Sequence, residues 1–111
     1  MRPSQLILTG NVGSEPEVFT TSSFRKIVKV RLATTERYFD EESMEIKVKT
    51  EWHTITFWDD IADLAEKYLT KGSRITVNGN PRQREWRDKE AQLHTSTEIH
   101  ATEFKIITRQ V

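Results

Sequence analysis

Between Lys26 and Thr34 apolar side chains fall on every second residue, Val28, Val30 and Leu32, with Lys29 and Arg31 between them. A period of two marks a strand with one buried face, and a helix cannot present those three side chains to one core. The same reading places a first strand over 5–9, broken by Gly10, Asn11, Val12 and Gly13, with Pro16 in the loop that follows. From Thr50 to Trp58 the odd positions are His53, Ile55 and Phe57 and the even ones Trp52, Thr54, Thr56 and Trp58, so that strand carries aromatics on both faces. A fourth strand covers 74–78 with Ile75 and Val77 inward. The last spans 95–107, and its apolar parity switches between Ala101 and Phe104, which predicts a bulge there. Fourteen threonines, with many Val and Ile, suit these assignments, because β-branched side chains pack well on a pleated surface.

One helix interrupts the strands. Ile61, Leu64, Ala65, Tyr68 and Leu69 recur at helical spacing, with Asp59 or Asp60 as the N-cap and Gly72 just past the end. Three strands, a helix and two strands are the order of an OB-fold, an all-β, five-stranded Greek-key barrel with the helix between the third and fourth strands. An SH3-like barrel ranks second because it rarely places a three-turn helix at that point. At 111 residues, with no repeat or linker, the expectation is one domain over 1–111 with its core at about 4–107.

Composition removes several classes. There is no cysteine, hence no disulfide framework, thiolate chemistry or Cys-based zinc site. No apolar run is long enough for a membrane span and Met1 to Ser4 resemble no signal peptide, so the expected location is the cytoplasm, with no membrane partner. Seventeen basic and seventeen acidic residues cancel, but charge is unevenly spread. Outside the acidic stretches at Asp40 to Glu45 and Asp59 to Lys71, 15 basic side chains stand against 9 acidic ones. A neutral chain can therefore still present a positive face.

That face is predicted from strand parity. Strand aromatics are ordinarily core, yet Ile55 and Phe57 already fill the inward face, which turns Trp52 and Trp58 outward. Arg82, Arg84 and Trp86 share parity on the hairpin after the fourth strand. Rings interleaved with cations suit single-stranded nucleic acid, because every base has a face to stack and every nucleotide a phosphate. Lys29, Arg31, Arg37, Lys47 and Lys49 extend the groove, and Tyr38, in the charged loop after the second strand, is a further stacking candidate.

Enzymatic and metal chemistry find no such support. The three histidines are scattered, with His94 and His100 about 20 Å apart along one strand by strand rise. Thr70 to Ser73 lacks the glycine-rich run of a phosphate loop, and no nucleophile elbow is present. No catalytic residue, metal or cofactor is expected. A third class is a protein-interaction barrel, in which the rings dock a subunit and an exposed first strand, with Leu6 and Leu8, pairs edge to edge with a second copy.

Several motifs in order resemble the bacterial single-stranded DNA-binding proteins: Leu6 to Gly13 followed by Pro16, Glu17 and Val18; Leu32 to Thr34; Glu51, Trp52 and His53; Leu64, Ala65, Tyr68, Leu69 and Lys71 to Ser73; and Gly79, Arg82, Arg84, Trp86, Asp88, Thr97 and Glu98. The resemblance runs from about Ser4 to Ile107. It implies an OB-fold homotetramer that wraps single-stranded DNA, with RNA as a weaker ligand, and protects it in replication, recombination and repair. It also implies that Tyr38, Trp52, Trp58 and Trp86 stack on bases, that Arg82, Arg84 and Lys47 contact phosphates, and that His53 lies near a subunit interface. The family's glycine- and proline-rich linker with its acidic tip, which recruits partner proteins, is not found before Val111: either that tail has been removed or the natural protein is a short form, as in tailless organellar or mobile-element members and the related primosomal proteins. Three further departures are Ser22, Ser23 and Phe24 in place of a glycine-containing turn, Thr54 where a basic residue is common, and Pro81 where an apolar residue is usual. Pro81 has no N–H to donate, so its edge should lie unpaired or bulged.

Overall fold

The computed structural model describes residues 5–107; the expectation about what precedes or follows them, the end at Val111 included, lies outside the described residues. In chain order the elements are β1 (Leu6–Val12), β2 (Glu17–Thr20), β3 (Lys26–Asp40), β4 (Glu45–Trp58), α1 (Asp59–Tyr68), β5 (Arg74–Arg87) and β6 (Leu93–Ile106). The sheet order is β1-β5-β6-β4-β3-β2, and a further pairing of β1 with β3 closes five of the strands into a barrel. All pairings are antiparallel except β4 with β6, which run parallel through Thr54↔Glu98, Ile55↔Ile99 and Thr56↔His100. This is the OB-fold, with α1 between the third and fourth barrel strands.

The core is the alternating set read from the sequence. Val28, Val30, Leu32, Ile55, Phe57, Ile75 and Val77 are all fully buried. Closure of β1 against β3 takes only two residue pairs, Asn11↔Ala33 and Val12↔Leu32. It depends on Gly10, since a Cβ there would lie 2.1 Å from the backbone oxygen of Ala33. The predicted bulge is present: Asn78 faces Glu103 while Gly79 faces Ala101. Thr102 is the extra residue, and its hydroxyl donates to the Asn78 carbonyl at 3.2 Å. Pro81 pairs with Ile99 on β6, whereas the β1 ladder on the other edge of β5 ends at Gly79, so that edge carries no strand among the described residues.

Four expectations are corrected. β1 does not break at Gly10 but continues to Val12. Glu17–Thr20, assigned to a loop, forms β2, whose residues are all exposed and therefore show no alternation; it is held by its ladder to β3. The strands around the charged stretch are much longer than 26–34 and 50–58, forming one hairpin paired out to Asp40↔Glu45, so Tyr38 lies on a strand and not in a loop. Likewise β5 runs on to Arg87, and β5 and β6 project together as a second arm.

The helix is where expected but is seated differently. Trp58 occupies the cap position with no side-chain cap bond. Asp59, at φ 56°, turns its carboxylate to Arg25, with Nη2 to Oδ2 at 2.6 Å, instead of capping. Lys26 adds ion pairs to Asp63 and Glu66 that bind the helix to β3. Small Ala62 and Ala65, with Leu69, are the buried residues beneath it, while Leu64 and Tyr68 stay half exposed. The small Ala62 and Ala65 let the helix sit close to the barrel mouth, and Leu64 and Tyr68 lean over the rim beside Phe104 and Ile106.

Candidate nucleic-acid interface

Strand alternation and register bring one outward face together from four strands. On β3 and β4, Lys29 pairs with Thr56, Arg31 with Thr54 and Ala33 with Trp52. On the other arm Arg82 pairs with Glu98, Arg84 with Ser96 and Trp86 with His94. The parallel β4–β6 contact joins the halves, since Thr54 is the partner of Glu98 and Thr56 of His100. Lys29, Arg31, Trp52, Trp58, Arg82, Arg84 and Trp86 therefore share a single surface. Arg31 lies across the strand pair from Thr54, so a guanidinium stands beside the position where the sequence lacks a basic residue.

Each indole on this surface has a partner of its own. The Arg31 guanidinium lies 5.1 Å from the Trp52 ring centroid and that of Arg25 lies 4.4 Å from the Trp58 centroid. Trp86 stacks on His94 with centroids 5.4 Å apart and planes within 20°. Trp52 and Trp86 nonetheless remain 52% and 45% exposed, which leaves ring surface for a ligand. Gly13 supports Trp52 from below, because a Cβ at that residue would lie 2.3 Å from Cζ3 of the indole. The Trp58 indole N–H donates to His100 Nδ1 at 3.2 Å, which requires that nitrogen to be unprotonated.

Glu98 is the acidic centre of this basic surface. Its carboxylate is 3.3 Å from Lys29 Nζ and 3.6 Å from Arg84 Nη1, accepts the Thr56 hydroxyl at 3.3 Å and lies 3.6 Å from His100 Nε2. Burial pushes the Glu98 carboxyl upward, but the charge and hydrogen bond of Lys29, with Thr56 and Arg84, outweigh it and hold the group below its ordinary value. His100 is lowered, first by burial and then by the Arg82 charge, against the pull of Glu98. Two shallow depressions flank this centre. One is lined by Trp86, Arg84, Lys29, Thr54, Ser96 and Glu98, the other by Trp58, Arg25, Arg82 and His100. Each pairs an indole with two cationic side chains, Arg84 and Lys29 in the first and Arg25 and Arg82 in the second, the combination a nucleotide's base and phosphate require.

The remaining candidates lie elsewhere. Arg37, Tyr38, Lys47 and Lys49 sit on the β3–β4 arm, with Tyr38 paired to Lys47 and Arg37 to Val48. Register separates them: Arg37, Phe39, Ile46 and Val48 continue the side of Trp52, whereas Tyr38, Lys47 and Lys49 continue that of His53. Two of these lysines are engaged, Lys47 with Asp40 at 2.7 Å and Lys49 with Glu51 at 3.6 Å. Arg31, Arg37 and Arg82 have no carboxylate within 4.0 Å among the described residues, which makes them the readiest phosphate partners. His53 is half buried with Nε2 3.0 Å from the Thr34 hydroxyl. Leu8 packs against the core, while Leu6 is exposed beside the β1 edge that, among the described residues, lacks a neighbour before Asn11. Sequence reasoning missed Arg25, His94, His100 and Glu98 as parts of this surface. Parity alone would have put the last three on it, but no local signal pairs them with a particular indole.

A barrel of this topology with such a face defines the nucleic-acid-binding class of OB-fold proteins. The sequence model described as the single-strand binding protein family matches residues 3–107. The chain is 38% identical over 102 residues to the single-stranded DNA-binding proteins of Rickettsia typhi and Rickettsia prowazekii, a match covering 91% of this chain and 67% of each relative. Among solved structures, the Plasmodium falciparum SSB in complex with ssDNA superimposes with a TM-score of 0.89 at 33% identity over 97% of both chains. The small single-stranded DNA-binding protein of Streptomyces coelicolor does so with 0.76 at 25% identity, over 96% of both. The chain belongs to the single-strand binding protein family.

Proposed function

We propose that this protein binds single-stranded DNA without sequence preference, as a non-enzymatic coat that protects and organises the strand in replication, recombination and repair. The observation that carries the reading is the shared face of Trp52, Trp58 and Trp86, each beside a cation or an imidazole. Bases stack on the indoles while Arg31, Arg82, Lys29 and Arg84 meet the phosphates. Arg37 extends this path along the same side of the β3–β4 arm, while Tyr38, Lys47 and Lys49 offer a further contact strip on the arm's opposite side. A homotetramer is the proposed assembly, supported by the edge of β1 before Asn11, which meets no strand among the described residues and has Leu6 and Ile7 exposed; light scattering of the native protein tests it.

Titration with oligo(dT) tests the binding surface. Tryptophan emission should be strongly quenched, and log affinity should fall linearly with log salt at a slope of about 0.7 per phosphate contact. Trp86→Ala should cost roughly 1–3 kcal/mol, one stacking increment. Unchanged affinity in that variant, with assembly intact, removes Trp86 from the site; unquenched emission in the wild type removes the function.

A further inference from the structure

Trp86 stands near the end of the β5–β6 arm, where residues 82–87 are all exposed and no core lies behind the ring. An indole in that position cannot be oriented by burial. What orients it is the imidazole across the strand pair: His94 is its register partner, and the rings lie nearly parallel with centroids 5.4 Å apart. The imidazole is fixed in turn, since its Nε2 is 2.7 Å from Asp88 Oδ2. The other Asp88 oxygen accepts the backbone N–H groups of Glu90 at 2.9 Å and Gln92 at 3.0 Å, which closes the turn between the strands. Turn, carboxylate, imidazole and indole thus form one continuous series, and the indole, still half exposed, borders a depression it shares with Arg84 and Lys29.

We propose that Asp88 and His94 are positioning residues that hold the Trp86 indole ready for a base, so that binding yields a base–indole–imidazole stack. The inference rests on the assignment of Trp86 as a stacking residue. Its physical content is preorganisation: a ring already immobilised loses no rotamer freedom on binding, and for one side chain that saving corresponds to about a three- to tenfold gain in affinity. The Asp88 carboxyl, held below its ordinary value by His94 first and by the Gln92 N–H next, fits a carboxylate that stays charged beneath the imidazole.

The test compares His94→Ala, His94→Phe and Asp88→Asn in the full chain by two measurements. One is the order parameter of the Trp86 indole N–H by NMR relaxation without DNA, the resonance being assigned by its disappearance in Trp86→Phe. The other is oligo(dT) affinity. His94→Ala should lower the order parameter and weaken binding about three- to tenfold. His94→Phe, which restores a flat ring without the carboxylate pair, should recover only part of both. Asp88→Asn, which keeps the imidazole and an oxygen for the turn, should lie between His94→Phe and the wild type, and values equal to the wild type would remove Asp88 from the device. Weaker binding with an unchanged order parameter would mean that His94 touches DNA directly and would overturn positioning, as would unchanged affinity in His94→Ala. If Trp86→Ala also binds normally, the stacking assignment fails first, and the two failures remain distinguishable.

Discussion

Gly13 and Gly10 lie three residues apart on and just beyond β1, and the same substitution should act on different properties at each. In Gly13→Ala the new methyl carbon would fall 2.3 Å from Cζ3 and 2.7 Å from Cη2 of Trp52, so the indole must retreat by about 1.1 Å to reach ordinary contact at 3.4 Å. Trp52 is half exposed, so the ring can swing outward at little cost, and stability should stay within about 0.5 kcal/mol of wild type, as for ordinary surface changes. The retreat alters its stack against Arg31 and the angle it presents to a base. Because the ring is displaced and not removed, the loss should sit at the low end of one stacking increment, about 1 kcal/mol, or roughly fivefold in affinity. Oligo(dT) titration measures this, and a double-mutant cycle with Trp52→Ala isolates the cause: on that background Gly13→Ala should cost nothing further. An equal cost on both backgrounds would refute action through the indole, and no loss on the wild-type background would remove Trp52 from the contact path. Gly10→Ala is the counterpart. Its methyl would meet a backbone oxygen at 2.1 Å, and the barrel closure must shift, which should destabilise the fold by about 1–3 kcal/mol before binding is affected.

Arg82→Ala should weaken binding evenly across oligonucleotide sequences and reduce the salt slope by about 0.7, measured by titrations at several salt concentrations. His100 is held below its ordinary value of 6.5, so the unfolded chain takes up that proton at higher pH than the folded one. Its contribution to stability is therefore complete above about pH 6.5 and lost as pH falls through the lower folded value. Denaturation midpoints of wild type and His100→Gln, whose amide can still accept the Trp58 N–H, should diverge in slope below that pH; parallel curves would contradict the assignment. Phe24 adopts φ 66° in the β2–β3 turn with its ring almost wholly in solvent. Phe24→Gly relieves a left-handed conformation that costs a non-glycine residue about 1–2 kcal/mol, partly offset by glycine's chain entropy, so thermal unfolding should show a net gain of up to about 1 kcal/mol.

The amino-acid sequence alone determined the strand faces, and with them the core and the outward indoles, because side-chain direction along a strand is a local property that alternates regardless of what the strand pairs with. The same locality located the bulge near Thr102 and the helix at 59–68. Tertiary structure decided how far each strand runs and who meets whom. Glu17–Thr20 is a strand only because β3 offers it a ladder, and Tyr38 lies on an arm because two exposed, charged segments pair beyond the barrel, where no apolar pattern is required. Gly13 under Trp52, Arg25 over Trp58 and Glu98 between Lys29 and Arg84 join residues 14 to 69 positions apart. Such contacts follow from register and barrel closure, which arise only when all the strands are assembled, so no window of the chain carries them.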